Sequence, residues 1–189
     1  MKIEEYLKKI YTMLIVVLVI SVMSLMIGLV NYSNTKGTTN NSSTTSNGNS
    51  VLEGYDVSMF NEVAVGDILK FLGTSNKETH ILYLGRSTCS ACVAFLPGLQ
   101  ETQKEMNFTT DYLDITKVDT SSDDFKKFSS LLSKEITQNV NGTSQTGKIS
   151  EFYGLTPMIV VIKNGEAVDA IVGSYSKENL QKFLKNYLA

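Results

Sequence analysis

Two cysteines occur in this 189-residue chain, and they stand three positions apart as Cys89-Ser90-Ala91-Cys92. An apolar run, Ile81-Leu82-Tyr83-Leu84, precedes the pair. A helical pattern of apolar residues (Val93, Phe95, Leu96, Leu99) follows it. The pair therefore falls between a strand and the start of a helix. This spacing lets one thiolate attack a disulfide while the other stands within reach to resolve the mixed disulfide. Two other readings compete. A structural disulfide closing so short a loop contributes about 2 kcal/mol, against about 4–5 for a loop of about 100 residues, so it is a poor staple. A zinc site normally takes four ligands. Here no second cysteine pair exists, and the single histidine, His80, lies at the far end of the preceding strand. Redox chemistry at Cys89 and Cys92 is the favoured reading, with no metal and no cofactor expected.

The N-terminus sets the compartment. Residues Tyr11–Val30 carry no charge and are mostly Leu, Ile, Val and Met. Twenty helical residues span about 30 Å, the thickness of a bilayer core. Lys2, Lys8 and Lys9 precede the run and only Lys36 follows closely, so residues 1–10 are expected in the cytoplasm and the rest outside. A cleaved signal peptide is the competing reading. Its apolar core would normally be about 7–15 residues, ending in small residues. This run is longer, and no alanine occurs before Ala64. The expectation is an uncleaved, single-pass transmembrane anchor over 11–30. Residues 31–50 are nearly all Asn, Ser, Thr and Gly and cannot build a core. They read as a flexible linker with an end-to-end distance of about 25 Å. The formal net charge is −2, which excludes a strong field toward nucleic acid.

Residues 51–189 read as one α/β domain. Val57–Val65 reads as an edge strand, Val65–Leu72 as a short helix and His80–Gly85 as a buried central strand. Cys89–Met106 reads as a long helix interrupted by Pro97. Asp111–Ile115 is a short strand, and Ser121–Asp124 starts a helix carrying Phe125, Phe128, Leu131 and Leu132. Asn139–Lys148, polar and glycine-bearing, reads as a loop. Met158–Ile162 and Ala167–Val172 form a hairpin about an Asn164-Gly165 turn. Ser176–Asn179 starts the last helix, with Leu180, Phe183, Leu184 and Leu188 on one face. The order is β-α-β-α-β-α-β-β-α, a central mixed sheet flanked by helices.

At this point the chain resembles the thioredoxin superfamily over residues 57–189. The only two prolines carry much of the likeness. Pro97 lies eight residues after Cys89, where thioredoxins kink the active-site helix. Pro157 follows Thr156 just before the hairpin, where the family has its cis-proline. Tyr153-Gly154-Leu155-Thr156-Pro157, Lys163-Asn164-Gly165-Glu166 and Val172-Gly173 are similar to the family's C-terminal half. Within the superfamily, Leu84 to Cys92 followed by Phe95-Leu96-Pro97 looks like the bacteriocin transport accessory group of Gram-positive bacteria. Three departures stand out: the dipeptide Ser-Ala between the cysteines, Tyr83 where thioredoxins carry a buried acid, and a longer segment between residues 115 and 153.

The resemblance implies a thioredoxin-like fold and a thiol-disulfide oxidoreductase with a redox-active Cys89–Cys92 disulfide. Cys89, at the helix N-terminus, is the expected attacker, because the helix dipole and free N–H groups favour an anion there. Cys92 is the resolving thiol. The resemblance implies that the Thr156 main chain pairs with a substrate strand beside the attacking sulfur, with Pro157 next to it, and brings the Thr156 hydroxyl within reach of the thiolate. Arg86 and Tyr83 are candidate tuning residues. A solvated loop charge is the alternative for Arg86, and a packed core aromatic is the simplest reading of Tyr83. Expected partners are cysteine-containing secreted or surface proteins and a membrane redox partner that re-oxidises or re-reduces the pair, since no third cysteine exists. The direction leans slightly to disulfide formation. The alternatives are a thioredoxin-like reductase and a non-catalytic peptide transport accessory protein.

Overall fold

The strand that leads into the cysteine pair is the middle of a five-stranded sheet. The computed structural model describes residues 51–188 apart from Asn141. Strands β1 (Asn61–Glu62), β2 (Thr79–Gly85), β3 (Thr110–Asp114), β6 (Met158–Lys163) and β7 (Glu166–Val172) lie in the order β1-β3-β2-β6-β7. The β1–β3 and β2–β3 pairs are parallel. The β2–β6 and β6–β7 pairs are antiparallel, so the sheet is mixed. A second, two-stranded sheet pairs β4 (Glu135–Val140) with β5 (Thr143–Lys148). The expected cytoplasmic N-terminus, transmembrane anchor and linker, residues 1–50, lie outside the described residues. No helix among the described residues is long and apolar enough to cross a membrane.

Alternation along β2 divides the core in two. Ile81 and Tyr83 face α2 (Ser90–Met106) and α4 (Lys177–Leu184), where they meet Phe95, Leu96, Leu99, Leu180 and Leu184. Leu82 and Leu84 face the other side, against Ile68 of α1 (Val65–Ile68) and Phe128 and Leu132 at α3 (Asp123–Leu131). A strand covered on both faces reads as a continuous apolar run, which is why β2 and β6 were visible in sequence. The caps fall where side-chain chemistry puts them. The Ser122 hydroxyl accepts the Phe125 N–H at 3.1 Å and the Ser176 hydroxyl accepts the Asn179 N–H at 3.3 Å. The β6–β7 turn places Asn164 at φ 55° and Gly165 at φ 79°, the left-handed pair that an Asn-Gly hairpin turn requires.

Four expectations change. The first strand shrinks from Val57–Val65 to Asn61–Glu62, because residues 52–60 instead run along α2. The Gln100 and Gln103 side chains donate to the carbonyls of Asp56 and Met59 at 2.9 and 3.3 Å. The α2 helix runs through Pro97 without interruption. The last helix ends at Leu184, short of Leu188. The largest change is at Asn139–Lys148. The expected loop is most of a β-hairpin, in which Ile136 and Gln138 turn inward and Glu135, Thr137 and Asn139 outward. Polarity misled the reading there, because residues 143–146 and Lys148 face solvent and β5 buries only Gly147.

Candidate redox site

Cys89 is the residue that caps α2, and this position governs its chemistry. Its backbone is extended (φ −102°, ψ 109°), and its sulfur takes the place that a Ser or Asp oxygen usually fills, accepting the Cys92 N–H at 3.1 Å. A thiolate there receives a donated hydrogen bond and the positive end of a 17-residue helix. Cys92 lies one turn in, on the face that also carries Phe95, Leu96 and Leu99. The two cysteines are disulfide-bonded, with Cα atoms 5.2 Å apart. Cys89 is 8% exposed and Cys92 0%. Of the two, only Cys89 keeps any exposure.

The opposite wall comes from the loop before β6. The Thr156–Pro157 peptide is cis. The Thr156 carbonyl oxygen stands 3.4 Å from the Cys89 sulfur, where a reduced thiol would donate to it. The Thr156 hydroxyl is buried with no hydrogen-bond partner among the described residues. The Pro157 carbonyl accepts the Gly173 N–H at 2.8 Å, which ties this loop to the end of β7. Leu155 beside it is 40% exposed, an apolar side chain open at the rim. The third border is the N-terminal arm. The Leu52 N–H donates to the Ser87 carbonyl at 2.9 Å, and Gly54 lies against Val93. The chain thus enters the domain beside the cysteine pair.

The residues expected to tune the site separate. Arg86 is exposed, and its carbonyl accepts the Cys89 N–H at 3.2 Å. Tyr83 is fully buried among Phe60, Phe95 and Tyr112, with ring centroids 5.9, 6.1 and 5.4 Å away. Its hydroxyl lies over the Cα of Gly85, beside the Tyr55 hydroxyl, which itself donates to Tyr112 at 2.9 Å; the Tyr83–Tyr55 contact falls short of a well-formed hydrogen bond. Burial, then the neighbouring Tyr55 and Asp114, hold the Tyr83 phenol well above the ordinary tyrosine range. It is therefore neutral at any physiological pH and cannot serve as a base. His80 sits at the other end of β2, stacked on Phe71 and 3.0 Å from the Asp111 carboxylate, away from the sulfurs.

A family model described as a thioredoxin-like domain matches residues 68–188. The chain belongs to the thioredoxin-like family. No curated protein matches it. In this thioredoxin-like chain the sheet order, the cysteine pair capping α2 and the cis-proline loop facing it assemble one site from β2, α2 and the β6 approach. Sequence reasoning missed Gln138, which bonds to Ala170 and Val172 on β7, and Tyr175, whose hydroxyl donates to it. The overlooked signal was Asn141-Gly142, a two-residue hairpin dipeptide flanked by Ile136, Gln138 and Val140 at period two.

Proposed function

We propose that this protein is a membrane-anchored, extracytoplasmic thiol-disulfide oxidoreductase that forms disulfides in cysteine-containing secreted or surface polypeptides. The observation that carries the reading is the asymmetry of the pair: a Cys89 that caps a helix and keeps a little exposure, a fully buried Cys92, and a backbone carbonyl of Thr156 beside the Cys89 sulfur. A substrate thiolate attacks Cys89, the Cys89–Cys92 bond breaks, and Cys92 leaves as a thiolate that takes up a proton. The substrate's second thiol loses its proton and attacks its own sulfur in the mixed disulfide, and Cys89 leaves. The substrate loses two electrons and two protons, and the cysteine pair gains them. A second disulfide, supplied by a membrane redox partner, restores the oxidised pair.

The direction rests on Tyr83. Proton removal from a buried resolving thiol is what a reductase must do on each turnover, and a neutral phenol does not assist it. The membrane partner is supported by the apolar run at 11–30 and by the lack of a third cysteine to restore the pair. The test is the reduction potential of the full-length chain, equilibrated with glutathione and read by thiol trapping. A value of about −120 to −180 mV supports disulfide formation, and about −270 mV reverses the direction to reduction. If secretion of a peptide survives replacement of both cysteines by serine, the protein is a transport accessory factor instead.

A further inference from the structure

The β4–β5 hairpin lies against β7 without joining its sheet. Beside the apolar packing of Ile136, the hydrogen bonds between them among the described residues come from one side chain. Gln138 is 7% exposed, donates its Nε2–H to the Ala170 carbonyl at 2.9 Å, and accepts the Val172 N–H on Oε1 at 3.1 Å. A residue of a parallel neighbouring strand would use this same pair of partners, donating to residue i−1 and accepting from residue i+1 about Ile171. Gln138 therefore replaces one step of a strand at an otherwise open edge. Its Oε1 also receives the Tyr175 hydroxyl at 3.4 Å.

The direction of the hairpin follows from these contacts. Lys134 at its base borders a groove with Glu166 and Ala167, at the start of β7. Four residues on, Gln138 reaches Ala170 and Val172, at the end of β7. The hairpin runs parallel to β7 toward the redox end of the sheet. There, Val172 leads into Gly173, whose N–H holds the Pro157 carbonyl at 2.8 Å. Pro157 carries Thr156, whose carbonyl faces Cys89 at 3.4 Å. One short path of hydrogen bonds and backbone thus joins a buried amide in the hairpin to the wall opposite the reactive sulfur.

We infer that Gln138 is a positioning residue for polypeptide substrates: by fixing Val172 and Tyr175 it sets the place of the Pro157 loop, against which an extended chain lies when its cysteine meets Cys89. This rests on the oxidoreductase reading and on Thr156 as the substrate-binding backbone. A small thiol needs only the sulfur, whereas an extended polypeptide needs the wall. The hairpin therefore acts on the choice of substrate and leaves the electron balance of the cysteine pair alone.

The experiment is single-turnover oxidation by the full-length, oxidised chain, with its own disulfide as oxidant. One substrate is a reduced, unfolded polypeptide bearing two cysteines, and the other is glutathione. For Gln138→Leu, the half-saturating polypeptide concentration rises about tenfold at an unchanged maximal rate, the preference for polypeptide over glutathione falls by the same factor, and the reduction potential stays put. Because Gln138→Leu strands two buried backbone groups and can open the hairpin, Tyr175→Phe is the second variant. It removes one hydroxyl contact and shifts the same preference two- to threefold. Wild-type half-saturation in both variants overturns the inference, as does an equal loss with both substrates or a moved potential. A wild-type chain that oxidises neither substrate refutes the disulfide-forming reading and this one with it, whereas wild-type oxidation with the variant results above refutes only this one.

Discussion

Replacing Tyr83 by phenylalanine removes one oxygen and nothing else, and the structure fixes what should follow. The ring is held on three sides by Phe60, Phe95 and Tyr112, and the phenylalanine side chain keeps all of that packing. The oxygen is buried and makes no well-formed hydrogen bond among the described residues; the Tyr55 hydroxyl beside it already donates to Tyr112. Leaving such a group unsatisfied costs about 1–3 kcal/mol, and deleting it relieves that cost. Taking the lower end, Tyr83→Phe stabilises the fold by about 1 kcal/mol. For a domain of about 140 residues the unfolding entropy is near 0.3 kcal/mol/K, so the gain corresponds to a rise of about 3–4 °C in Tm. Most core substitutions act in the opposite direction. Thermal unfolding of the oxidised and reduced forms is the assay, paired with the reduction potential. A packed aromatic raises Tm equally in both forms and leaves the potential where it was. A loss of stability would show that the hydroxyl is satisfied after all. A potential more negative by about 30 mV or more, equivalent to about 1.4 kcal/mol for two electrons, would show that the oxygen touches the reduced pair, and the packing account would fail.

The cysteines should behave unequally: Cys92→Ser accumulates a mixed disulfide on Cys89 with a disulfide-bearing substrate, visible by mass, and Cys89→Ser accumulates none. Tyr83 and Tyr112 are both held above the ordinary tyrosine range by burial, so the folded state keeps protons that the unfolded chain releases above about pH 10. Their contribution is whole below that pH and is lost as pH rises further, at about 1.4 kcal/mol per pH unit for each, so denaturant midpoints measured between pH 10 and 11 should fall steeply. The double Phe variant should flatten that fall.

What the sequence made legible was whatever the chain spells in apolar period or in punctuation. Strands β2 and β6 are buried on both faces, so they read as unbroken apolar runs, and the long α2 pattern leads directly out of Cys89. Asn164-Gly165 marks its turn openly because only left-handed backbone closes so short a hairpin. The same dipeptide stands at Asn141-Gly142 and was overlooked in a segment read by its polar composition. Hydrophobic periodicity registers burial of carbon, and β4 buries an amide. Gln138 at an inward position breaks the apolar alternation, although it satisfies two backbone groups that no apolar residue in its place would. Tyr83 erred the other way. Its ring reads as an aromatic core residue, and nothing in the sequence tells that its oxygen arrives over Gly85 without a well-formed hydrogen bond. Both residues lie where the pattern of carbon and the pattern of hydrogen bonding disagree. A polar residue that interrupts a clean alternation beside a turn dipeptide is thus better read as a buried connector than as the end of a strand. In this protein that connector is what ties an added hairpin to the edge strand β7.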